Sequence, residues 1–191
     1  YNAQASRLFY SLVWRPLTAA VARPASGELW AVLAAAPLAA PLIHALARAG
    51  ARAVALANTE ALRAELAEGT RLDGLVCAAG LEPDGQRAVL AVLRLLAGAG
   101  RGAPRCWLLT RGAVGTRVKD PPGAAEQAVI WGLGRSFALE HPRAWGGLLD
   151  LPPEQLDTAA AEQVVALLTG LPGEDQLALR DGQVLAARLV G

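Results

Sequence analysis

The feature of this sequence that most constrains its fold is a regular alternation of short apolar runs with longer segments of helical spacing, beginning at Glu28. Short apolar runs are typical of parallel strands buried on both faces, and the longer segments are typical of the helices that connect them. Strands and helices that alternate in this way form βαβ units with right-handed crossovers. The sequence therefore predicts an α/β fold, a truncated Rossmann-like parallel sheet flanked by helices.

The boundaries of these segments carry residues that begin and end helices. Thr59 is expected to cap a helix, and Gly50 and Gly69 are expected to end helices, because glycine adopts the left-handed backbone that follows a helix. The predicted strands are residues 29–34, 51–57, 72–78, 105–110 and 145–151. The predicted helices are residues 37–49, 59–68, 86–99, 124–140 and 156–168.

Both ends of the chain have an extended pattern. Residues 8–17 alternate as a strand does, so residues 1–27 are predicted to form an N-terminal strand arm and linker. Near the other end, two apolar stretches flank Asp181-Gly182, which predicts a closing β-hairpin of residues 176–179 and 183–190. Residues 28–191 are accordingly predicted to form one Rossmann-like structural subdomain.

Composition excludes several classes of protein. The chain has 191 residues, of which 53% are hydrophobic, and can bury a substantial core. Its most apolar stretch, residues 29–46, is interrupted by two prolines and His44, so we expect no membrane span. No basic segment precedes an apolar one at the N-terminus, so we expect no signal peptide and a cytoplasmic location. A net charge of +1 with scattered charges argues against nucleic-acid binding. Cys77 and Cys106 lie in apolar runs and are expected to be buried reduced thiols, with a disulfide or a reactive thiol as the alternative.

The first strand–helix turn of a Rossmann-like fold is where a dinucleotide would bind. A functional turn carries glycines there, because only a backbone without Cβ lets the pyrophosphate approach the helix N-terminus. This chain has Ala34-Ala35-Ala36-Pro37 at that place, and no glycine between Gly27 and Gly50. The methyl groups and the proline would crowd the phosphates, so we expect no dinucleotide at this turn.

Other glycine clusters give weaker signals. Gly132-Leu133-Gly134 lies within a predicted helix, where close packing of the helix on the sheet is the expected reason for both glycines. Gly98, Gly100 and Gly102 are expected to form a helix end and a loop. The sequence contains neither a P-loop nor a Gly-x-Ser-x-Gly elbow.

The residue types that would carry reductase chemistry do not occur at the necessary spacing. A tyrosine activated by a lysine one helical turn later needs the cation nearby to lower its pKa. The two tyrosines are Tyr1 and Tyr10, and the single lysine, Lys119, is distant from both in sequence. His44 and His141 are expected to have surface, packing or helix-end roles.

Two further groups of residues are expected to be structural. Glu140 and Asp150 are predicted to be a helix-end and a strand-end polar group rather than an acid/base pair. The five tryptophans are predicted to pack in the core or against a neighbouring subdomain; they are Trp14, Trp30, Trp107, Trp131 and Trp145. We therefore predict no catalytic, cofactor-binding or metal-binding residue in this chain.

Several segments, taken in order, resemble one family closely. They are Leu8-Phe-Tyr-Ser-Leu-Val-Trp-Arg-Pro, Trp107-Leu-Leu-Thr-Arg-Gly-Ala-Val, Gln127-Ala-Val-Ile-Trp-Gly-Leu-Gly-Arg, Ala138-Leu-Glu-His-Pro, Trp145-Gly-Gly-Leu-Leu-Asp-Leu-Pro and Gly173-Glu-Asp-Gln-Leu-Ala-Leu-Arg-Asp-Gly-Gln-Val-Leu-Ala-Ala-Arg-Leu. Together they span nearly the whole chain. They resemble the structural, N-terminal subdomain of a modular type I polyketide synthase ketoreductase region, which has a short-chain-reductase-like fold.

The resemblance implies a division of labour between two halves. In this family the structural half carries no chemistry and packs against a catalytic half. The catalytic half holds NADPH and the Ser, Tyr, Lys and Asn residues that reduce β-ketoacyl groups on an acyl carrier protein. None of those residues corresponds to a position in this chain, so the resemblance assigns it no site.

Three hypotheses follow from the sequence. The first is a noncatalytic scaffold that stabilises and docks a catalytic ketoreductase half within the same bacterial megasynthase. The second is a pseudo-ketoreductase half that supports a neighbouring C-methyltransferase or enoylreductase domain. The third is a free-standing reductase or methyltransferase with an unusual site.

Overall fold

The computed structural model describes residues 9–17, 26–117, 120, 124–154, 156–171 and 173–191. The strands are β1 (Ser11–Pro16), β2 (Leu29–Leu33), β3 (Arg52–Leu56), β4 (Gly74–Cys77), β5 (Arg105–Arg111), β6 (Trp145–Leu151), β7 (Gln176–Arg180) and β8 (Gln183–Val190). The helices are α1 (Ala36–Arg48), α2 (Thr59–Ala67), α3 (Gly85–Ala99), α4 (Ala125–Glu140) and α5 (Thr158–Gly170), with short 3₁₀ helices at Ala79–Leu81 and Gly100–Gly102.

The eight strands form one sheet in the order β1-β8-β7-β6-β5-β4-β2-β3. Six neighbouring strands, from β3 across to β7, are parallel, as expected when helices connect successive strands. The predicted α/β class and the Rossmann-like, parallel-dominated sheet are confirmed.

Strands β1 and β8 extend this sheet in antiparallel pairing. Strand β8 returns from β7 through Asp181 and Gly182, whose φ angles are 50° and 71°. Positive φ at both central residues gives the tight primed turn that matches the twist of a hairpin. Strand β1 then pairs with β8 along six residues, from Ser11 with Val190 to Pro16 with Leu185. The N-terminal strand is therefore the edge strand of the main sheet.

Helices cover both faces of the sheet and create two apolar cores. Helices α1 and α5 pack together on one face, and α2, α3 and α4 pack side by side on the other. Along β2 the side chains alternate between the two: Trp30 and Val32 enter the core under α1 and α5, and Ala31 and Leu33 enter the other core. This double burial explains why the strands are apolar throughout.

The glycines that follow Trp145 accommodate another tryptophan. A Cβ added to Gly146 would lie 2.5 Å from the Trp107 ring, and one added to Gly147 would lie 2.4 Å from it. The indole of Trp107, which is 2% exposed, therefore lies against bare backbone of the neighbouring strand β6. The Trp-Gly-Gly segment is required by packing within the sheet.

One predicted helix cap and one predicted helix start are wrong, for the same physical reason. Helix α2 is capped by Asn58, not by Thr59, because the Asn58 Oδ1 atom accepts a hydrogen bond from the Ala61 amide at 3.0 Å. Helix α5 begins at Thr158 rather than at residue 156, because Asp157 caps it by accepting from the Ala160 amide at 2.7 Å. In each case the best side-chain acceptor decides the first residue.

Some of the other expectations are confirmed, and some concern residues outside the described ranges. Gly50 and Gly69 follow helices with φ angles of 89° and 77°, so both helix ends are confirmed. Parts of the predicted arm and linker, residues 1–8 and 18–25, lie outside the described residues, as do Tyr1 and Lys119. None of the helices in the described ranges is long and apolar enough to cross a membrane.

Candidate functional site

The place to look for a ligand site is the carboxyl edge of the parallel sheet. Ligands of open α/β sheets bind there, in the crevice at which the strand order reverses direction. In this sheet that point lies between β2 and β4, because β2 also pairs with β3 on its other side. The loops that follow these strands, and those that follow β5 and β6, define the candidate site.

At the β2–α1 turn, a side chain of the protein itself occupies the end of the helix. The Ala35 amide, at the N-terminus of α1, donates to the Glu82 Oε1 atom at 2.5 Å. The helix has no side-chain cap of its own, and Pro37 lies in its first turn. The Glu82 carboxylate therefore supplies negative charge where the helix dipole is positive, the position that a nucleotide phosphate occupies in dinucleotide-binding folds.

After β4, glycines make room for the chain itself. A Cβ on Gly80 would lie 2.8 Å from the Leu109 carbonyl oxygen and 2.8 Å from the Ile130 side chain. A Cβ on Gly85 would lie 2.2 Å from the Ala79 carbonyl oxygen. These glycines let the β4–α3 turn pack closely, and the Gln127 side chain holds that turn by donating to the Gly80 carbonyl at 2.6 Å.

The ends of β5 and β6 carry a buried polar network around Asp150. Thr110 and Asp150 are directly opposite each other in the two strands, and both are 0% exposed. The Thr110 hydroxyl donates to Asp150 Oδ1 at 2.6 Å and accepts from the Trp131 indole N–H at 2.9 Å. The Ala113 and Val114 amides donate to the two carboxylate oxygens at 2.9 and 3.3 Å.

Arg180 completes this network from β7. Its guanidinium donates to Asp150 Oδ2 at 2.5 Å and to the carbonyl oxygens of Asp150 and Val114 at 3.1 and 2.9 Å. Each carboxylate oxygen thus accepts two hydrogen bonds, which uses the full accepting capacity of an ionised carboxylate. A carboxylate engaged in this way fastens Ala113 and Val114, which follow β5, to β6 and β7.

The titratable residues singled out in the sequence do not converge. Tyr10 is 67% exposed on the arm. His44 is exposed on α1, on one face of the sheet, whereas His141 follows α4 on the other face and lies against Phe137 with ring centroids 4.8 Å apart. Within the described ranges, no three His, Cys, Asp or Glu side chains are grouped as metal ligands would be.

Glu140 and Asp150 lie at opposite ends of β6. Glu140 ends α4 immediately before that strand and lies 4.0 Å from His141 Nε2. Asp150 is the sixth residue of the strand, about 17 Å along β6 from Trp145 at about 3.3 Å per residue. Asp150, the next-to-last residue of β6, is a strand-end polar group, and the structure adds that it is the centre of a buried network.

The two cysteines are buried and are not joined in a disulfide. Burial raises the pKa of the Cys77 thiol to about 12 from its ordinary 9.0. Burial also raises the pKa of Cys106. Both therefore remain protonated at neutral pH, and such desolvated thiols are poor nucleophiles.

The prediction for the glycine pair in α4 is half right. A Cβ on Gly134 would lie 2.9 Å from Trp145 and 3.1 Å from Leu148, so this glycine does permit close packing of the helix on the sheet. Gly132 faces away from the sheet, and a Cβ added to it would meet no atom within 4 Å. Its assignment to helix–sheet packing is wrong.

Of the five tryptophans, four are buried, and Trp14 is partly buried with its ring 5.8 Å from that of Trp131. Glu82 and Arg180 were not singled out by the sequence. The only sequence signal for Arg180 is that the two polar residues Thr110 and Asp150 occupy next-to-last positions in otherwise apolar neighbouring strands, and Glu82 has no such signal. That pattern indicates buried hydrogen-bond partners.

Comparison with known proteins gives a consistent result. Residues 12–189 match the family described as polyketide synthase extender module SpnB, Rossmann fold domain. The chain is 40% identical over 184 residues to the pikromycin polyketide synthase component PikAIII of Streptomyces venezuelae, covering 94% of this chain and 12% of that protein. It is 42% identical over 137 residues to erythronolide synthase EryA3 of Saccharopolyspora erythraea, covering 72% of this chain and 4% of that protein.

Solved structures agree with the sequence relatives. A C2-type ketoreductase from a modular polyketide synthase superposes with a TM-score of 0.78 at 34% identity, covering 95% of this chain and 43% of that one. The first ketoreductase of the tylosin polyketide synthase superposes with a TM-score of 0.76 at 31% identity, covering 94% and 40%. The chain thus spans less than half of either ketoreductase and a small part of each synthase.

Proposed function

This chain belongs to the polyketide synthase SpnB-type Rossmann fold domain family, and from that membership we propose that it is the noncatalytic structural half of a ketoreductase region. Its partner is a catalytic half of the same bacterial, cytoplasmic megasynthase. That half binds NADPH and reduces β-ketoacyl groups carried by an acyl carrier protein. The contribution of this chain is to stabilise and dock the half that performs the chemistry.

The observation that carries this proposal is the outward face of α4. The face opposite the core consists of small and apolar side chains over the whole length of the helix, with no charge among them. They are Ala125, Ala128, Val129, Gly132, Ser136 and Leu139, which we call the α4 outward face, and all are exposed. A helix face that remains in water is normally polar, whereas small and apolar residues at this spacing allow another helix to pack closely.

The largest side chains of this face are strongly exposed. Leu139 is 86% exposed and Val129 is 51% exposed. On the neighbouring edge of the sheet, Leu12 and Leu189 are directly paired across β1 and β8 and are 47% and 71% exposed, beside Arg135, Gln176 and Arg188. Several large exposed apolar side chains on one side of a domain are typical of a protein–protein contact.

Features of the carboxyl edge support the noncatalytic part of the proposal. The end of α1 already holds the Glu82 carboxylate, and a phosphate placed there would meet a like charge. At the other strand ends, all four accepting positions of Asp150 are engaged. The chain's own groups thus occupy both the anion position at α1 and the Asp150 carboxylate. This arrangement favours a stabilising role for these residues over a catalytic one.

Cofactor binding gives the first test. Isothermal titration of NADPH into the isolated chain is expected to give no heat of binding, because no cradle for a pyrophosphate is free. The same titration into the pair formed with the catalytic half is expected to give one site per pair. Micromolar binding to the isolated chain, or β-ketothioester reduction by it, would overturn the noncatalytic assignment.

Docking gives the second test. We expect Leu139→Lys to weaken the association with the catalytic half at least about tenfold, because a charge would be buried in an apolar contact. The matched control is Ala47→Lys, which also introduces lysine at the next-to-last position of an exposed helix but lies on α1, on the opposite face of the sheet. Association is measured by analytical ultracentrifugation, and circular dichroism confirms that both variants remain folded.

The two variants separate docking from general damage. Equal affinities for Leu139→Lys, Ala47→Lys and the unsubstituted chain would exclude the α4 outward face as the docking surface. Equal losses for both variants would exclude it as well, since the effect would then not depend on position. Loss of reductase activity in the Leu139→Lys pair alone would connect the surface to the function of the partner.

A further inference from the structure

A large groove in the described part of the chain lies between α2 and α3, far from the carboxyl edge of the sheet. It has a volume of about 730 Å³ and is open to solvent. One wall is α2, the other is the C-terminal half of α3, and the loop before β4 closes one end. The family assignment and the α4 outward face give this groove no role.

The charged residues that line the groove are all cationic. Arg63 lies on the α2 wall, Arg94 on the α3 wall and Arg71 at the closed end, and no carboxylate is among the lining residues. Arg87 is exposed two helical turns before Arg94 and extends the basic row along α3. The charge of the groove therefore favours an anionic occupant.

Few acids of the chain compensate these arginines. Arg63 pairs with Glu60 at 3.2 Å on the rim, and Arg71 lies at a loose 3.9 Å from Asp73, whose other oxygen accepts from the Leu29 amide. Arg94 makes no ion pair with another described residue. Exposed pairs of this kind are weak and can be exchanged for an external carboxylate.

The shape of the groove favours a helix over a small anion. Its floor between the arginines contains small residues, including Ala67, Ala91 and Gly98. A Cβ on Gly98 would meet no atom within 4 Å, so the space above it is free. Small residues between two helices allow a third helix to approach closely, whereas arginines on two walls and at one end suit a row of carboxylates better than a single phosphate.

We propose that the α2–α3 groove is a docking site for an acidic α-helix presented by another protein domain. Glutamates spaced along one side of that helix pair with Arg63, Arg71 and Arg94, and its backbone lies over the small residues of the floor. This site is independent of the α4 outward face and of the proposed scaffold role, because it uses different helices and a different chemistry.

A pair of designed peptides tests the proposal on the intact chain. The probe is a labelled peptide of about 18 residues, long enough to be helical, with glutamates along one face. The matched peptide has glutamine at those positions. We expect the glutamate peptide to bind, measured by fluorescence anisotropy, and its affinity to fall with rising salt because the pairs are exposed. The glutamine peptide is expected to bind at least about tenfold more weakly.

Two triple variants locate the binding. Arg63→Gln/Arg71→Gln/Arg94→Gln is expected to weaken the glutamate peptide about tenfold, the combined effect of three exposed ion pairs. The control, Arg15→Gln/Arg48→Gln/Arg143→Gln, removes the same charge from exposed positions outside the groove and is expected to leave the affinity unchanged. Because all six side chains are at the surface, thermal melts are expected to confirm that both variants fold.

Three results would overturn the proposal. The first is equal binding of the two peptides, and the second is equal weakening by the two triple variants. The third is tight binding of inorganic tripolyphosphate that depends on the groove arginines while the glutamate peptide fails to bind, which would identify a small-anion site instead of a helix site.

Discussion

Helix α4 has one long face that is buried on the sheet and one that is exposed. The inward face carries Ile130, Trp131, Gly134 and Phe137, and all four are buried on the sheet. The outward face is also apolar and small, yet it contacts nothing in the described residues that would require those side chains. Packing on the sheet therefore explains why the inward face is apolar, but no contact among the described residues explains why the outward face is apolar too.

Two glycines separated by one residue make the contrast concrete. At Gly134 a methyl group would collide with Trp145 and Leu148, so only glycine fits. At Gly132 a methyl group would meet open space, and alanine would favour the helix more than glycine does. A glycine that weakens its helix without serving the core agrees with the proposed docking of a catalytic half over this face.

The variant with the largest expected effect tests whether the stability of the chain depends on the buried network below the inward face of α4. Trp131 on that face is connected through Thr110 to Asp150 and Arg180. Asp150→Ala is expected to lower the free energy of unfolding by about 3–5 kcal/mol, because it leaves the mostly buried Arg180 guanidinium without its partner. Urea denaturation followed by tryptophan fluorescence measures this loss.

A second variant in the same network provides the control for that prediction. Thr110→Val removes one hydroxyl of similar volume and leaves the Asp150–Arg180 pair intact, so the expected loss is about 1–3 kcal/mol. A loss below about 1 kcal/mol for Asp150→Ala would contradict the role given to the ion pair. Equal losses of unfolding free energy for the two variants would mean that the Thr110 hydroxyl, and not the Asp150–Arg180 pair, accounts for the stability that the network provides.

The next effect in size tests the close approach of α4 to the sheet. Gly134→Ala is expected to destabilise the chain by about 1–3 kcal/mol, because the added methyl must displace the Trp145 and Leu148 side chains. The intrinsic preference of alanine for helices opposes this loss by about 1 kcal/mol and is outweighed. Thermal unfolding measures the net change, and an increase in stability would contradict the tight packing of α4 on the sheet.

Much of the fold could be predicted from the sequence because the alternation of apolar runs and helical segments is strong. Strands β2 to β6 and the hairpin lie where their patterns predict. Helix α1 begins and ends one residue before its predicted bounds, and α3 begins one residue early. The cap of α2 and the start of α5 could not be placed, since several residues at each start can cap a helix and the choice depends on local geometry.

The polar network and the faces of α4 were less predictable, for separate physical reasons. Asp150 and Arg180 are thirty residues apart and meet only because β6 and β7 are neighbours, which the pattern of single strands does not specify. Helix α4 is apolar on both sides, so its sequence contains no clear polar stripe that would show which glycine faces the core. Because the outward face is apolar as well, the orientation of α4 could not be predicted from its sequence.

The smallest expected effect is the sharpest test of the contrast. Gly132→Ala is expected to raise the free energy of unfolding of the isolated chain by up to about 1 kcal/mol, because alanine restricts the unfolded chain and meets no obstacle in the folded one. If a helix of the catalytic half packs closely over Gly132, the same methyl group must weaken that association. Thermal unfolding of the chain and ultracentrifugation of the pair measure the two effects. Opposite signs would support the contact, whereas stabilisation of the chain with no change in pairing would place Gly132 outside the docking surface.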